Sequence, residues 1–232
     1  MRIVAEFLQI GILPVALTLG AYQIGLACQR KFKSALCNPI LVAVVIVLAF
    51  LTVTGMPNGD YQAGMTSVSW LMTPATVCLA IPMYEQFQIL RKNLKAIVIG
   101  IASGTVVCLG TVLLLCVVLG LERDLTVSLL PKGVTTAIGV PLSTLSGGIA
   151  SITTAVIICT GIAANLLGVF LCKVLGLTNE VAKGVAFGTS GHVVGTAKAN
   201  ELSPLTGAVS SLSLAIAGLL TAVLFPILTR FL

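Results

Sequence analysis

The chain has 232 residues, 57% of them hydrophobic and only 9% charged, with a formal net charge of +6. Soluble domains carry about a quarter charged residues, so a soluble globular fold is excluded, and with it a nucleic-acid reading of the positive balance. Several apolar runs of about 20 residues define instead an all-α, polytopic membrane protein, and the period-two alternation of a membrane β-barrel is not seen.

Taken in order, the sequence predicts about eight transmembrane segments. Segment 1 runs from about Ile3 to Cys28, with Glu6 near its start and Pro14 as a candidate kink. It shows no small-residue cleavage site and is read as a retained helix. A basic linker follows (Arg30, Lys31, Lys33), and segment 2 runs from Asn38-Pro39 to about Thr54. Turn chemistry fills Gly55 to Asp60. Segment 3 covers about Met65 to Met83 and contains Pro74 and Pro82; the basic stretch with Arg91, Lys92 and Lys95 comes next. Segment 4 covers about Ala96 to Leu121 and ends at the acidic turn Glu122-Arg123-Asp124. Segment 5 is Ser128 to Ser146, segment 6 about Ile149 to Leu177, segment 7 about Glu180 to Glu201, and segment 8 starts at Pro204. The basic loops after segments 1 and 3 place those loops in the cytoplasm and both termini outside. The seven cysteines fall mostly inside apolar runs without a C-x-x-C pair, so they read as small packing residues.

A weak internal repeat runs through the chain. Pro74-Ala-Thr-Val77-Cys-Leu-Ala80-Ile81 matches Pro131-Lys-Gly-Val134-Thr-Thr-Ala137-Ile138, and Val118-Leu-Gly-Leu121 matches Val174-Leu-Gly-Leu177. Repeat-like units of about 65–121, 125–177 and 180–232 result, each an interrupted segment followed by a smooth one. They fall within one membrane domain, residues 1–232. Segments 5 and 7 are the clearest interruptions, with segment 3 a third candidate.

Segment 5 reads SLLPKGVTTAIGVPLSTLS and segment 7 contains GVAFGTSGHVVGTAKANELS. Broken, polar backbone persists at membrane depth only inside protein or around a wet cavity, and an ionisable residue there marks function. Lys132 is the leading candidate, with Gly133, Thr135 and Thr136 beside it. A plainer alternative is a lysine snorkelling from a helix end, with threonines bonded to their own backbone. A half-helix N-terminus here would suit a carboxylate. Thr189, Ser190, His192 and Thr196 are placed opposite, and Pro74 and Thr76 join them from segment 3. His192 is a candidate proton-coupling group or a neutral ring bonded inside the bundle. Glu85 could balance Lys132 or lie at the interface; Lys198 and Glu201 could couple charge or simply pair. Asn165 reads as a helix–helix hydrogen-bonding residue. There is no nucleophile elbow, P-loop or H-E-x-x-H, and one histidine cannot build a zinc triad. No enzyme activity, metal or cofactor is expected.

Four stretches in order carry a resemblance to the LrgB/CidB family of bacterial membrane proteins: NPILVAVV (Asn38–Val45), PATVCLAIPMYEQ (Pro74–Gln86), LLPKGVTTAI (Leu129–Ile138) and GVAFGTSGHVVGTAKANE (Gly184–Glu201). Together they span nearly the whole chain. Ala137 stands where the family usually has proline, which puts the local kink in question. The resemblance implies a multi-pass protein of the bacterial cytoplasmic (inner) membrane, surrounded by lipid and working with a small four-helix LrgA/CidA-type partner. It implies one of two functions. One is an ion-coupled carrier of small monocarboxylates such as glycolate, glycerate or pyruvate; the other is a holin/antiholin-like protein modulating murein hydrolase export and autolysis. A homodimer through segments 1 and 2 is a further expectation.

Overall fold

The computed structural model describes residues 11–32, 39–78 and 80–232, and all regular structure among the described residues is helical. Glu6, Lys33 and Asn38 lie outside the described residues, as does the side chain of Thr76. Four helices are long and apolar enough to cross a membrane by length and composition: Ile12–Lys31, Leu94–Val118, Ala150–Val174 and Pro204–Leu228. Pro39–Thr54 and Thr136–Leu145 are apolar but shorter.

The chain divides into two compact units, Met1–Cys78 and Leu79–Leu232. In the first, α1 (Ile12–Phe32) packs against α2 (Pro39–Thr54) and α3 (Asn58–Gly64). Gly25 permits the α1–α2 approach, because a Cβ there would stand 2.7 Å from the backbone of Pro39. Thr18 on α1 shares a 2.7 Å hydrogen bond with the Tyr61 hydroxyl on α3. The turn after α2 is shorter than its sequence predicts: Gly55 takes φ 65°, and helix resumes at Asn58.

Segment 3 breaks at Leu71, between α4 (Thr66–Trp70) and α5 (Met72–Cys78). Pro74 sits in the first turn of α5, the one part of a helix that tolerates a missing N–H. The second unit opens with α6 (Ala80–Glu85).

The second unit continues with α7 (Phe87–Lys92), α8 (Leu94–Val118), α9 (Arg123–Leu129), a 3-10 turn (Leu130–Gly133), α10 (Thr136–Leu145), α11 (Ala150–Val174), α12 (Glu180–Leu202) and α13 (Pro204–Leu228). Helix α12 packs most extensively on α13 and next on α11. Small residues allow this, as they do between membrane helices generally: side chains at Gly184 and Gly188 would collide with Val209 and Ser213 of α13. Both helices have bonded starts. The Asn179 carboxamide oxygen accepts from the Val181 and Ala182 amides at 2.8 and 3.2 Å. The Ser203 hydroxyl accepts from the Thr206 amide at 3.1 Å, ahead of Pro204.

The repeated Val-Leu-Gly-Leu has a local physical meaning. Helices α8 and α11 each have 25 residues and end in the same cap. Gly120 and Gly176 adopt φ 63° and 65°. The Leu121 amide bonds the Cys116 carbonyl at 3.0 Å, and the Leu177 amide bonds that of Cys172 at 2.8 Å. The glycine amides bond Val117 and Lys173. These are the two bonds of a Schellman ending. Cys116 and Cys172 are buried in separate apolar clusters, against which Leu121 and Leu177 pack.

The caps predict that Gly176→Ala, which forces a Cβ into left-handed backbone, costs about 1 kcal/mol or more. Gly110→Ala, mid-helix with open space around the new methyl, is neutral or stabilising by up to about 1 kcal/mol. Thermal unfolding of the two purified variants in one detergent checks the contrast.

Candidate functional site

Segment 5 leaves helical geometry between α9 and α10. Pro131 cannot continue α9, because its ring would meet a carbonyl one turn back and it has no N–H. The chain tightens into the 3-10 turn, with Pro131 at φ −83°, ψ 22°. Val134 (φ −110°, ψ 176°) and Thr135 (φ −70°, ψ 152°) are extended, and helix restarts at Thr136. The Thr135 side chain makes no capping bond, so the first-turn amides of α10 keep their partial positive charge. Lys132, Thr135 and Thr136 are all half-buried at this start. Lys132 makes no hydrogen bond or ion pair among the described residues.

The second departure from helix lies inside α12. His192 adopts φ 41°, ψ −136°, the only positive-φ residue other than glycine among the described residues. Backbone of this kind costs on the order of 1–3 kcal/mol and persists only where surroundings enforce it. Here they do. The His192 ring is 5% exposed, and its Nε2 lies 2.9 Å from the Ile157 carbonyl of α11. A carbonyl only accepts, so Nε2 carries a proton. Gly161 and Gly191 make room: a Cβ at Gly161 would press on the imidazole, and one at Gly191 on Ala164. The Asn165 amide donates to the Val194 carbonyl at 3.2 Å, bonding α11 to the far side of the break. The Thr196 hydroxyl donates to the His192 carbonyl at 2.8 Å and shares a further 2.8 Å bond with Ser210 of α13.

The 3-10 turn touches α12 at Thr189, in its helical part three residues ahead of the His192 break. The 3-10 turn packs against α8, α11, α12 and α13, and a Cβ at Gly133 would lie 3.4 Å from the Thr189 carbonyl oxygen. Between them is a cavity of about 10 Å³, room for about one water. Thr105, Cys108, Pro131, Gly133, Thr189 and Thr221 are among its walls. Buried hydroxyl bonds secure both ends of segment 5. The Ser128 hydroxyl accepts from the Ile149 amide at 2.7 Å, and Thr153 donates to Ser143 at 2.7 Å.

Gly133 and Thr189 thus share one cavity wall, with Lys132, Thr135 and Thr136 along the same broken backbone. Ser190 is not with them: it is exposed, donates to the Ala186 carbonyl, and lines a separate cavity of about 220 Å³ beside Phe187 and Gly168. Lys198 and Glu201 are 2.6 Å apart and pair with each other. Glu85 is exposed at the end of α6 with no ion pair among the described residues, and Pro74 is exposed in α5. No cluster of His, Cys, Asp and Glu among the described residues could hold a metal. Thr105, Thr221 and Ser210 escaped the sequence reading. Their signal was one hydroxyl among several along long apolar helices, too common to single them out.

A family model described as LrgB-like family matches residues 18–231. No solved structure matches the chain.

The packing around His192 predicts that Gly161→Ala destabilises by about 1–3 kcal/mol, since the methyl must displace a ring held between two helices. Asn165→Leu, which gives up at least its bond to the Val194 carbonyl, costs about 0.6 kcal/mol for each interhelical bond lost. Chemical denaturation in mixed micelles ranks the two.

Proposed function

The chain belongs to the LrgB-like family, and from that premise we propose that it is a bacterial cytoplasmic-membrane carrier of small organic anions, ion-coupled, taking monocarboxylates of glycolate, glycerate or pyruvate size. The observation that carries this reading is the break in segment 5 at residues 130–135, whose Gly133 lies against Thr189 of α12, among helices of membrane-spanning length. Interrupted helices in transporters present half-helix N-termini to anionic groups.

The carboxylate sits at the start of α10. The uncapped first-turn amides there receive it, the Lys132 ammonium supplies the countercharge, and the Thr135 and Thr136 hydroxyls orient it. Gly133 lets the turn come close to α12. His192 and Thr196 hold the α12 break in shape from inside the bundle. The chain crosses the bilayer about eight times, with segments 5 and 7 as the interrupted crossings and three repeat-like units. A small four-helix LrgA/CidA-type protein is its partner.

Reconstitution into proteoliposomes, alone and with that partner, tests the proposal. Saturable uptake of labelled glycolate or pyruvate is expected. Lys132→Ala lowers kcat/KM by on the order of ten- to a hundredfold, the worth of a charge-assisted bond, and Thr135→Ala by less, both at unchanged expression. Non-saturable leakage of a dye larger than these substrates overturns the carrier reading in favour of a holin-like pore.

A further inference from the structure

Two short helices, α6 and α7, lead the chain into the crossing helix α8. Each has six residues, where an isolated helix needs about 12–15 to hold itself. Their anchorage is Met83 and Leu90, in an apolar cluster with Ile97 of α8 and Val209 and Leu212 of α13. Beside these residues a cavity of about 400 Å³ remains open, walled in part by Met83, Tyr84, Phe87, Leu90 and Leu212. Arg91 is the charged residue among its walls, and none of them is a carboxylate. All of these residues belong to the second unit. Such a volume, with apolar and aromatic walls and one polar group to orient the guest, is the usual form of a small-ligand site.

The guanidinium of Arg91 is exposed and makes no hydrogen bond or ion pair among the described residues. Glu85, at the end of α6, is exposed and forms no ion pair either. Helix α8 is apolar and long enough to cross a membrane from Leu94 onward, so the residues just before it stand where hydrocarbon gives way to headgroups. Arg91, Lys92 and Lys95 lie within one turn of that boundary, all exposed, and the first turns of α7 and α8 contain no acid. The basic-loop pattern puts this end in the cytoplasm, where basic pockets beside membrane helices attract anionic headgroups. Apolar walls suit a hydrocarbon chain, and a guanidinium fork at headgroup depth suits a phosphate, which it grips with two bonds. We propose that this cavity binds one anionic phospholipid, its phosphate on Arg91 and an acyl chain against Phe87, Leu90 and Leu212. Lys92 and Lys95 add to the attraction for the headgroup. The lipid completes the packing of α6 and α7 on α8 and α13. The site goes beyond the carrier reading and does not depend on it.

The full chain, purified in detergent, is unfolded thermally with phosphatidylglycerol, with phosphatidylcholine of the same acyl chains, or with glycerol phosphate alone. Phosphatidylglycerol raises Tm saturably, by roughly 5–10 °C at a hundredfold excess over its dissociation constant, and the other two do not. Native mass spectrometry finds one phosphatidylglycerol retained per chain. Arg91→Gln, at an exposed position, weakens that binding by on the order of ten- to a hundredfold, and Lys92→Gln by roughly fivefold. Lys173→Gln, which removes an exposed cation on α11, leaves it unchanged. Leu212→Trp, which fills the cavity, abolishes retention; should it fail to fold, Arg91→Gln decides alone. Equal shifts with phosphatidylcholine, a shift with glycerol phosphate, or an undiminished response in Arg91→Gln overturns the proposal. So does a chain indifferent to all three additives. A chain that retains no lipid but forms dimers that Leu212→Trp disperses also overturns it, and gives the cavity to a second copy.

Discussion

Every backbone amide and carbonyl at membrane depth must find a partner inside the protein, because hydrocarbon supplies none. A continuous helix meets that demand by itself. Inside segments 5 and 7 this chain departs from helix at residues 130–135 and at His192, and interhelical bonds gather around those places. Asn165, Ile157 and Ser210 supply bonds at the α12 break. Ser128 and Ser143 do the same at the ends of segment 5.

Hydrophobic burial cannot hold such a bundle together, since lipid tails are as apolar as leucine. What remains is close contact through small residues and interhelical bonding. The buried face of α13 accordingly holds Thr206, Gly207, Ala208, Ser210, Ser211 and Ser213. The glycines of α11 and α12 lie where a methyl would strike a neighbour: Gly168 against Phe187, Gly161 against His192, Gly188 against α13. The apolar clusters sit to either side of this polar seam. One gathers around Phe225 and Leu130, another around Ile97, Ile101 and Val209.

The backbone strain has a specific location. His192 is forced into a conformation suited to glycine although Gly191 and Gly195 flank it. Both glycines are already spent on close approach, Gly191 to Ala164 and Gly195 to the Phe187 carbonyl. The unusual backbone therefore falls on the histidine, whose ring the Ile157 carbonyl can hold. Uncapped amides at α10 lie around the 3-10 turn, together with Lys132 and the buried Thr105, both unpartnered among the described residues.

By itself the sequence determined a great deal. Composition dictated a helical membrane protein, since no soluble core accommodates so few charges. Pro131, Gly133 and the polar run after them marked segment 5 as unlike an ordinary span, and Val-Leu-Gly-Leu carried the two helix endings in its own residues. Such features are local: proline geometry, glycine at positive φ and hydropathy act within a turn or two of chain. Only the tertiary structure decided that Thr189 and not Ser190 shares a wall with Gly133, that positive φ falls on His192, and that Thr105 and Thr221 face one cavity from different helices. Each of these depends on which helix lies alongside, and a choice among equally permissible faces is settled by packing partners far away in the chain.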